Sequence, residues 1–289
     1  MTAAAGSPAL AGVFFLALLY SAPAFAQGDA KRGEYLAKAG GCLGCHTETR
    51  PGAQPYAGGR ELKTPFGTFF GPNITPHPQA GIGRWSEQDF VRALREGLRP
   101  DGAHYFPAFP YPSFTKIVDA DLRDLFAYLR RLPPSSRASQ PHDLRFPFGW
   151  RWLVWFWKLF FFSPGPYAPD PSLNATLNRG AYLVNALGHC GECHTPRNFL
   201  GGPKRSRFLG GAKLTEGGDA SNLRSARVQK ISDKDLKDFL LTAMTPDGDV
   251  AAESMAEVVR NTTGQLTAQD LDAVVAYLRS LPTLPDETK

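Results

Sequence analysis

Four cysteines and the two histidines that follow them are the residues of this 289-residue chain best suited to do chemistry. They fall in two copies of one spacing, Cys42-Leu43-Gly44-Cys45-His46 and Cys190-Gly191-Glu192-Cys193-His194, which together use every cysteine present. Cys-x-x-Cys-His is the attachment signature of c-type haem. Its two thiols add to the haem vinyl groups, and the adjoining histidine becomes the proximal iron ligand. Two intervening residues bring both sulfurs to one porphyrin edge, and the next residue turns its imidazole under the iron. The repeated motif therefore predicts two covalently bound haem c groups, held by Cys42, Cys45, Cys190 and Cys193, with His46 and His194 on the irons. A zinc site or disulfides would leave the paired histidines unexplained, and a redox dithiol would need a βαβ context that neither motif has.

Haem iron in an electron carrier usually holds a second axial ligand, and Met/His ligation raises its potential. Beyond Met1 the methionines are Met244 and Met255, both in the second half. Met255 is the expected ligand, on a loop eight residues past Asp247 between the middle and final helices. Met244 closes an apolar stripe with Phe239 and Leu240 and reads as a core residue. The same count from Asp101 lands on Phe109, which cannot bind iron. His104 is the candidate there, ahead of His77, with an open five-coordinate iron third. With His104 bound, haem 1 is bis-histidine and lower in potential, so electrons would run from the first domain to the second. His142 and His189 read as structural or solvent-exposed.

The elements that must position these residues are repeated. Arg32-Gly33-Glu34-Tyr35-Leu36 precedes the first motif and Arg179-Gly180-Ala181-Tyr182-Leu183 the second. Gly58-Gly59 and Gly210-Gly211 follow, and Asp101-Gly102 matches Asp247-Gly248. Each half closes with a helix, Leu122, Leu125, Phe126 and Leu129 in one and Leu271, Val274, Val275 and Leu278 in the other, spaced i, i+3, i+4, i+7. Asp119 and Thr267 are the expected N-caps, and Pro133 and Pro282 the breakers. One further helix is predicted in each half, over Glu87 to Gly97 and Asp233 to Met244. Such small, loop-rich domains suit a large apolar cofactor that supplies much of the core.

Between the halves, Pro133 to Pro147 reads as a linker and leads into an aromatic helix running from Trp150 to Phe162. This helix is expected to lie in a membrane interface with Arg151 and Lys158 snorkelling from one face, or to be buried against a domain or a partner. The expected segments are a signal peptide (1–26), domain 1 (27–140), linker and aromatic helix (141–172) and domain 2 (173–289). The apolar run Leu10 to Tyr20, followed by Ala24-Phe25-Ala26, fits a leader cleaved before Gln27, with no basic residue ahead of it. Export agrees with haem attachment outside the cytoplasmic membrane, hence a periplasmic location. The net charge of +5 favours acidic partners or anionic lipid. Its scattered basic residues form no stripe for nucleic acid, so that class is set aside.

Several stretches resemble the cytochrome c subunits of membrane-bound dehydrogenases. They are Thr64-Pro65-Phe66-Gly67, Gly71-Pro72-Asn73-Ile74-Thr75-Pro76, Gly81-Ile82-Gly83-Arg84-Trp85-Ser86, Tyr105-Phe106-Pro107-Ala108-Phe109-Pro110-Tyr111 and Leu187-Gly188-His189-Cys190 through Asn198. The resemblance implies a mainly α fold, two tandem class I cytochrome c domains joined by a Pro-rich linker and an aromatic helix. It also implies His46 and His194 as proximal ligands, Met255 as a distal ligand, and a membrane-associated role for the aromatic helix. Partners in that family are quinoprotein alcohol dehydrogenases, gluconate-type flavoproteins or molybdenum hydroxylases. This chain has two haem motifs where many alcohol dehydrogenase subunits have three. Phe109 stands where those carry methionine, a form closer to the molybdenum hydroxylase cytochromes. The expected role is an electron-transfer subunit, without catalytic residues of its own, taking electrons from a catalytic dehydrogenase subunit towards quinone or a terminal oxidase. The alternative is a dihaem redox enzyme of peroxidase or thiosulfate dehydrogenase type, with haem 1 as its reactive site.

Overall fold

Asp29 and Asn174 start the two halves in the same way, each side chain accepting a backbone N–H of the first helical turn. The computed structural model describes residues 1–2, 28–214 and 218–286. The expected leader and its cleavage site lie outside those residues. The first half runs α1 (Ala30–Ala39), α2 (Cys42–His46), β1 (Glu61–Thr64), β2 (Gly67–Phe70), α3 (Glu87–Glu96), α4 (Tyr111–Phe114), α5 (Asp119–Leu129) and β3 (Asp143–Leu144). Next comes α6 (Trp152–Phe161). The second half runs α7 (Ala175–Tyr182), α8 (Gly191–His194), β4 (Gly210–Lys213), β5 (Asp219–Asn222), α9 (Ala226–Lys230), α10 (Asp233–Thr242), α11 (Glu253–Asn261) and α12 (Ala268–Ser280).

The first helix of each half crosses the last at a glycine. A Cβ on Gly33 would stand 1.9 Å from the Asp124 carbonyl oxygen, and one on Gly180 1.9 Å from that of Ala273. Any larger residue would force the helices apart. Arginine locks each crossing: Arg32 bridges Asp121 and Asp124, and Arg179 holds Asp270 at 2.7 Å. The tyrosine of each Arg-Gly-x-Tyr-Leu segment then reaches the other half. Tyr182 donates to Asp121 at 2.8 Å, and Tyr35 donates to Asp270. One apolar core is continuous across the boundary, with Leu36, Leu122 and Leu125 meeting Leu183, Leu187, Leu271 and Val275. Each fully buried leucine contributes about 1.5–3 kcal/mol relative to exposure.

Several expected boundaries shift. Thr267 does cap α12, but Val118 occupies the cap position of α5, and Asp119, inside the helix, instead holds Arg95. Helix α10 stops at Thr242, because Ala243 turns left-handed at φ 62°. The stretch expected to be a linker is partly structural. Asp143–Leu144 adds an antiparallel edge to β2, and the Ser135 and Arg137 carbonyls accept from buried Asn73. Helix α6 also turns the other way round. Arg151 and Lys158 face the protein, and the aromatic side faces outward.

Candidate functional site

Each attachment motif forms one short turn of helix entered through a left-handed residue. That residue is Gly41 at φ 61° in the first half and His189 at φ 37° in the second. One helical turn places the two cysteines of each motif on a common side, i and i+3. None of the four cysteines is paired in a disulfide. Burial is the main reason their protons are held tightly: Cys42 and Cys190 are pushed up to about 12 and Cys45 to about 11.

The motif histidines are aimed by the backbone. His46 Nδ1 donates to the Pro72 carbonyl at 2.8 Å and His194 Nδ1 to the Ser221 carbonyl at 2.7 Å. Fixing Nδ1 as the donor leaves Nε2 with its lone pair, the arrangement of a metal-ligating imidazole. Burial lowers the proton affinity of both rings, opposed by these same hydrogen bonds, and so favours the neutral form that binds iron. The residues present therefore fit a covalently held haem on each motif.

The loops carrying those carbonyls are anchored by a pair of residues that sequence reading passed over. Asn73 and Asn222, each next to the accepting carbonyl, are both buried. The Asn73 amide donates to the Ser135 and Arg137 carbonyls; that of Asn222 donates to the Leu284 carbonyl and to Asp286. Each asparagine thus ties the proximal loop to the extended segment that follows the closing helix of its half. Gly58 and Gly211 allow this approach, since a Cβ there would stand 2.6 and 2.9 Å from the Asn73 and Asn222 nitrogens. The glycine correspondence is thus Gly58 with Gly211, one position off the paired Gly-Gly alignment. A further match is Thr47, which accepts from Tyr56 N at 3.0 Å, while Thr195 accepts from Leu209 N at 3.1 Å. Tyr56 and Leu209 are both left-handed there. The sequence signal for this arrangement was an asparagine downstream of each glycine pair.

The distal segments align through paired bridges, Leu98 with His104 in one half and Met244 with Val250 in the other. In this register Phe109 and Met255 are equivalent, and both pack against the main core. Met255 lies in α11, not on a loop, because Met255, Val258 and Val259 give that segment a helical apolar face. Met244, expected in the core, is 51% exposed. His104 occupies the place of Val250 and is engaged by α6. Its Nδ1 accepts from Lys158 at 2.9 Å and its carbonyl from Arg151 at 2.7 Å. The Lys158 ammonium directs its other two hydrogens at the Glu96 and Gly97 carbonyls at the end of α3. With Nδ1 accepting, the hydrogen of a neutral His104 ring sits on Nε2. His77 likewise accepts at Nδ1, from Gln79 and Ala80 N–H groups. His142 is structural, receiving the Phe70 N–H and packing on Phe69 and Phe106. His189 sits at the boundary between the halves against Phe114.

Comparison with known proteins gives one family and several relatives. The family model for cytochrome c matches residues 30–133 and again 177–282. The chain is 44% identical over 261 residues to a "Diheme cytochrome c-type" protein of Cereibacter sphaeroides, covering 89% of this chain and 87% of that one. It is 43% identical over 258 residues to a nicotinate dehydrogenase subunit of Pseudomonas putida, covering 88% of this chain and 21% of that protein. Against the cytochrome c subunit of a quinone-type alcohol dehydrogenase of Gluconobacter oxydans, identity is 38% over 267 residues, 89% of this chain and 55% of that subunit. The chain thus spans most of the first relative but only part of the other two.

Proposed function

Because this chain belongs to the cytochrome c family, with two matching domains and two covalently bound haem c groups, we propose that it relays electrons from a dehydrogenase to the respiratory chain. The observation that carries this reading is a pair of attachment turns, each with its histidine aimed by a backbone carbonyl, packed into one continuous core. Cys42, Cys45, Cys190 and Cys193 hold the haems, and His46 and His194 bind the irons from the proximal side. Met255 would supply the second ligand of one iron. For the other, His104 is the proposed ligand; binding through Nε2 would require the ring proton to move to Nδ1 and Lys158 to give up its hydrogen bond there. When bound, each haem supplies a one-electron Fe(III)/Fe(II) couple.

The donor we propose is a catalytic dehydrogenase subunit, since relatives carry the names of nicotinate and alcohol dehydrogenase subunits. The acceptor is quinone or a terminal oxidase. The test is purification from membranes with the native partner, followed by addition of that partner's substrate. Reduction of both haems supports the relay; turnover of peroxide or thiosulfate by the isolated chain contradicts it.

Localisation follows from the same reading. The apolar leader and the need to attach haem outside the cytoplasmic membrane support the periplasm. Among the described residues no helix is long and apolar enough to cross a membrane. Peripheral attachment is supported by the reversed polarity of α6. Its basic residues turn inward, Arg151 over the Phe106 ring and Lys158 over Tyr111. Trp152, Trp155, Phe156, Leu159 and Phe160 are exposed, beside exposed Phe199 and Leu200 of the second half. A grouped apolar surface of this kind marks a docking site, and interfacial tryptophans suit the headgroup layer. Vesicle co-sedimentation should be lost in Trp155→Ser with Phe160→Ser; unchanged sedimentation counts against a lipid surface.

A further inference from the structure

The two halves cover each other's attachment turns, and they do so reciprocally. Glu257 lies on α11, two residues past Met255. A Cβ on Gly44, in the middle of the first motif, would stand 3.5 Å from its Oε1, and Asn261 of the same helix reaches to 4.0 Å. The other carboxylate oxygen of Glu257 accepts from Arg60 Nη2 at 2.8 Å. Arg60 precedes β1 in the first half, and its carbonyl accepts from Gly71 N beside the loop that aims His46. Both side chains are largely covered, 20% and 25% exposed, so the pair is shielded from competing water.

The mirror contact joins the other two segments. Ser113, on the α4 segment that follows Phe109, donates to Glu192 at 2.6 Å. Glu192 has the same place in the second motif as Gly44 in the first, and Arg197 holds its carboxylate. Each distal segment therefore seats on the attachment turn of the opposite half. The second-half contact is made by a charged pair and by the helix that carries a proposed iron ligand. The first-half contact is a neutral hydroxyl on a carboxylate, from a segment whose equivalent residue is phenylalanine.

We propose that the Arg60–Glu257 ion pair is a positioning clamp: it fixes the first attachment turn against the Met255 helix and so sets the gap across which an electron passes between the haems. This rests on the assignment of the two motifs as attachment sites. The exchange moves one electron, oxidising one iron and reducing the other, with no bond made and no proton transferred. Its rate depends on the gap, and the gap is set by which side chains hold the two backbones together.

The experiment uses the holoprotein, with haem content measured first, and the variants Glu257→Gln and Arg60→Gln, which keep most of the packing. Each is expected to slow inter-haem electron exchange after flash reduction several-fold and to raise hydrogen exchange over residues 42–46. The potential of haem 1 should move in opposite directions, upward when the negative charge is removed and downward when the positive one is. The reversed pair, Arg60→Glu with Glu257→Arg, should recover the rate and the protection. Parent-like rate and parent-like exchange in both single variants, with two haems present, would overturn the clamp. Fewer than two haems in the unsubstituted protein would instead overturn the attachment assignment beneath it.

Discussion

The two halves are alike below the irons and unlike above them. On the proximal side the correspondence extends to single atoms: a left-handed entry residue, a thiol pair, an imidazole held by a carbonyl, and an asparagine that ties down the carbonyl's loop. On the distal side, Phe109 faces Met255 in the register, Tyr111 faces Glu257, and a four-residue helix stands where a nine-residue helix does. The difference teaches what duplication leaves free. The attachment side keeps one geometry, whereas the distal side has diverged in residue type and helix length.

The largest effect should come from breaking the shared side. Replacing Cys42 and Cys45 by serine should halve the haem content per chain, read by haemochrome absorbance, and leave the second domain's haem in place. Full haem content would contradict the attachment assignment. Next come exchanges across the distal pair. Phe109→Met should raise the potential of haem 1 towards that of haem 2. His104→Ala should abolish a bis-histidine spectrum of haem 1, and persistence of that spectrum would remove His104 as a ligand.

The inter-half tyrosines sharpen the comparison on the energy scale. Tyr182 is buried and Tyr35 only half so, though each donates to a carboxylate of the other half. Tyr182→Phe should cost about 1.5–3 kcal/mol in chemical denaturation, and Tyr35→Phe less, as befits a wetter bond. Equal costs would mean that burial does not distinguish the two bonds. A further contrast concerns His142, present only in the first half. Burial lowers its pKa from the ordinary 6.5 to about 4, helped by the nearby charges of Arg151 and Arg99. Between those values the unfolded chain binds the extra proton, so this group's stabilising contribution is lost as pH falls from 6.5 to about 4. His142→Gln should flatten that part of the stability profile, measured by urea midpoints against pH; an unchanged slope would clear His142 of the effect.

Sequence reading reached the motifs, the repeat and the closing helices because each depends on local spacing. Arg32, Gly33 and Tyr35 recur as Arg179, Gly180 and Tyr182, and the repeat alone marked them as important. It could not show that the tyrosines cross to the opposite half, because that depends on how two similar surfaces pack. The aromatic helix illustrates the same limit. Periodicity puts Arg151 and Lys158 on one face, but which way that face turns is decided by the α3 carbonyls and the His104 ring, remote in sequence. The hairpins β1–β2 and β4–β5 are illegible in the sequence because four-residue strands, β2 and β4 opening on glycine, carry too little alternation. Met255 was expected on a loop because the Gly and Asp residues before it signal a turn, which in fact ends just ahead of α11.

The most direct test of unlike distal sides on like proximal ones is a spectroelectrochemical titration of the holoprotein beside its Met255→His variant. The unsubstituted protein should show two separate one-electron steps. On the proposed thioether ligation by Met255, only the higher step should move in the variant, and downward. A single unresolved step in the parent, or a variant in which both steps shift together or neither does, would contradict the assignment.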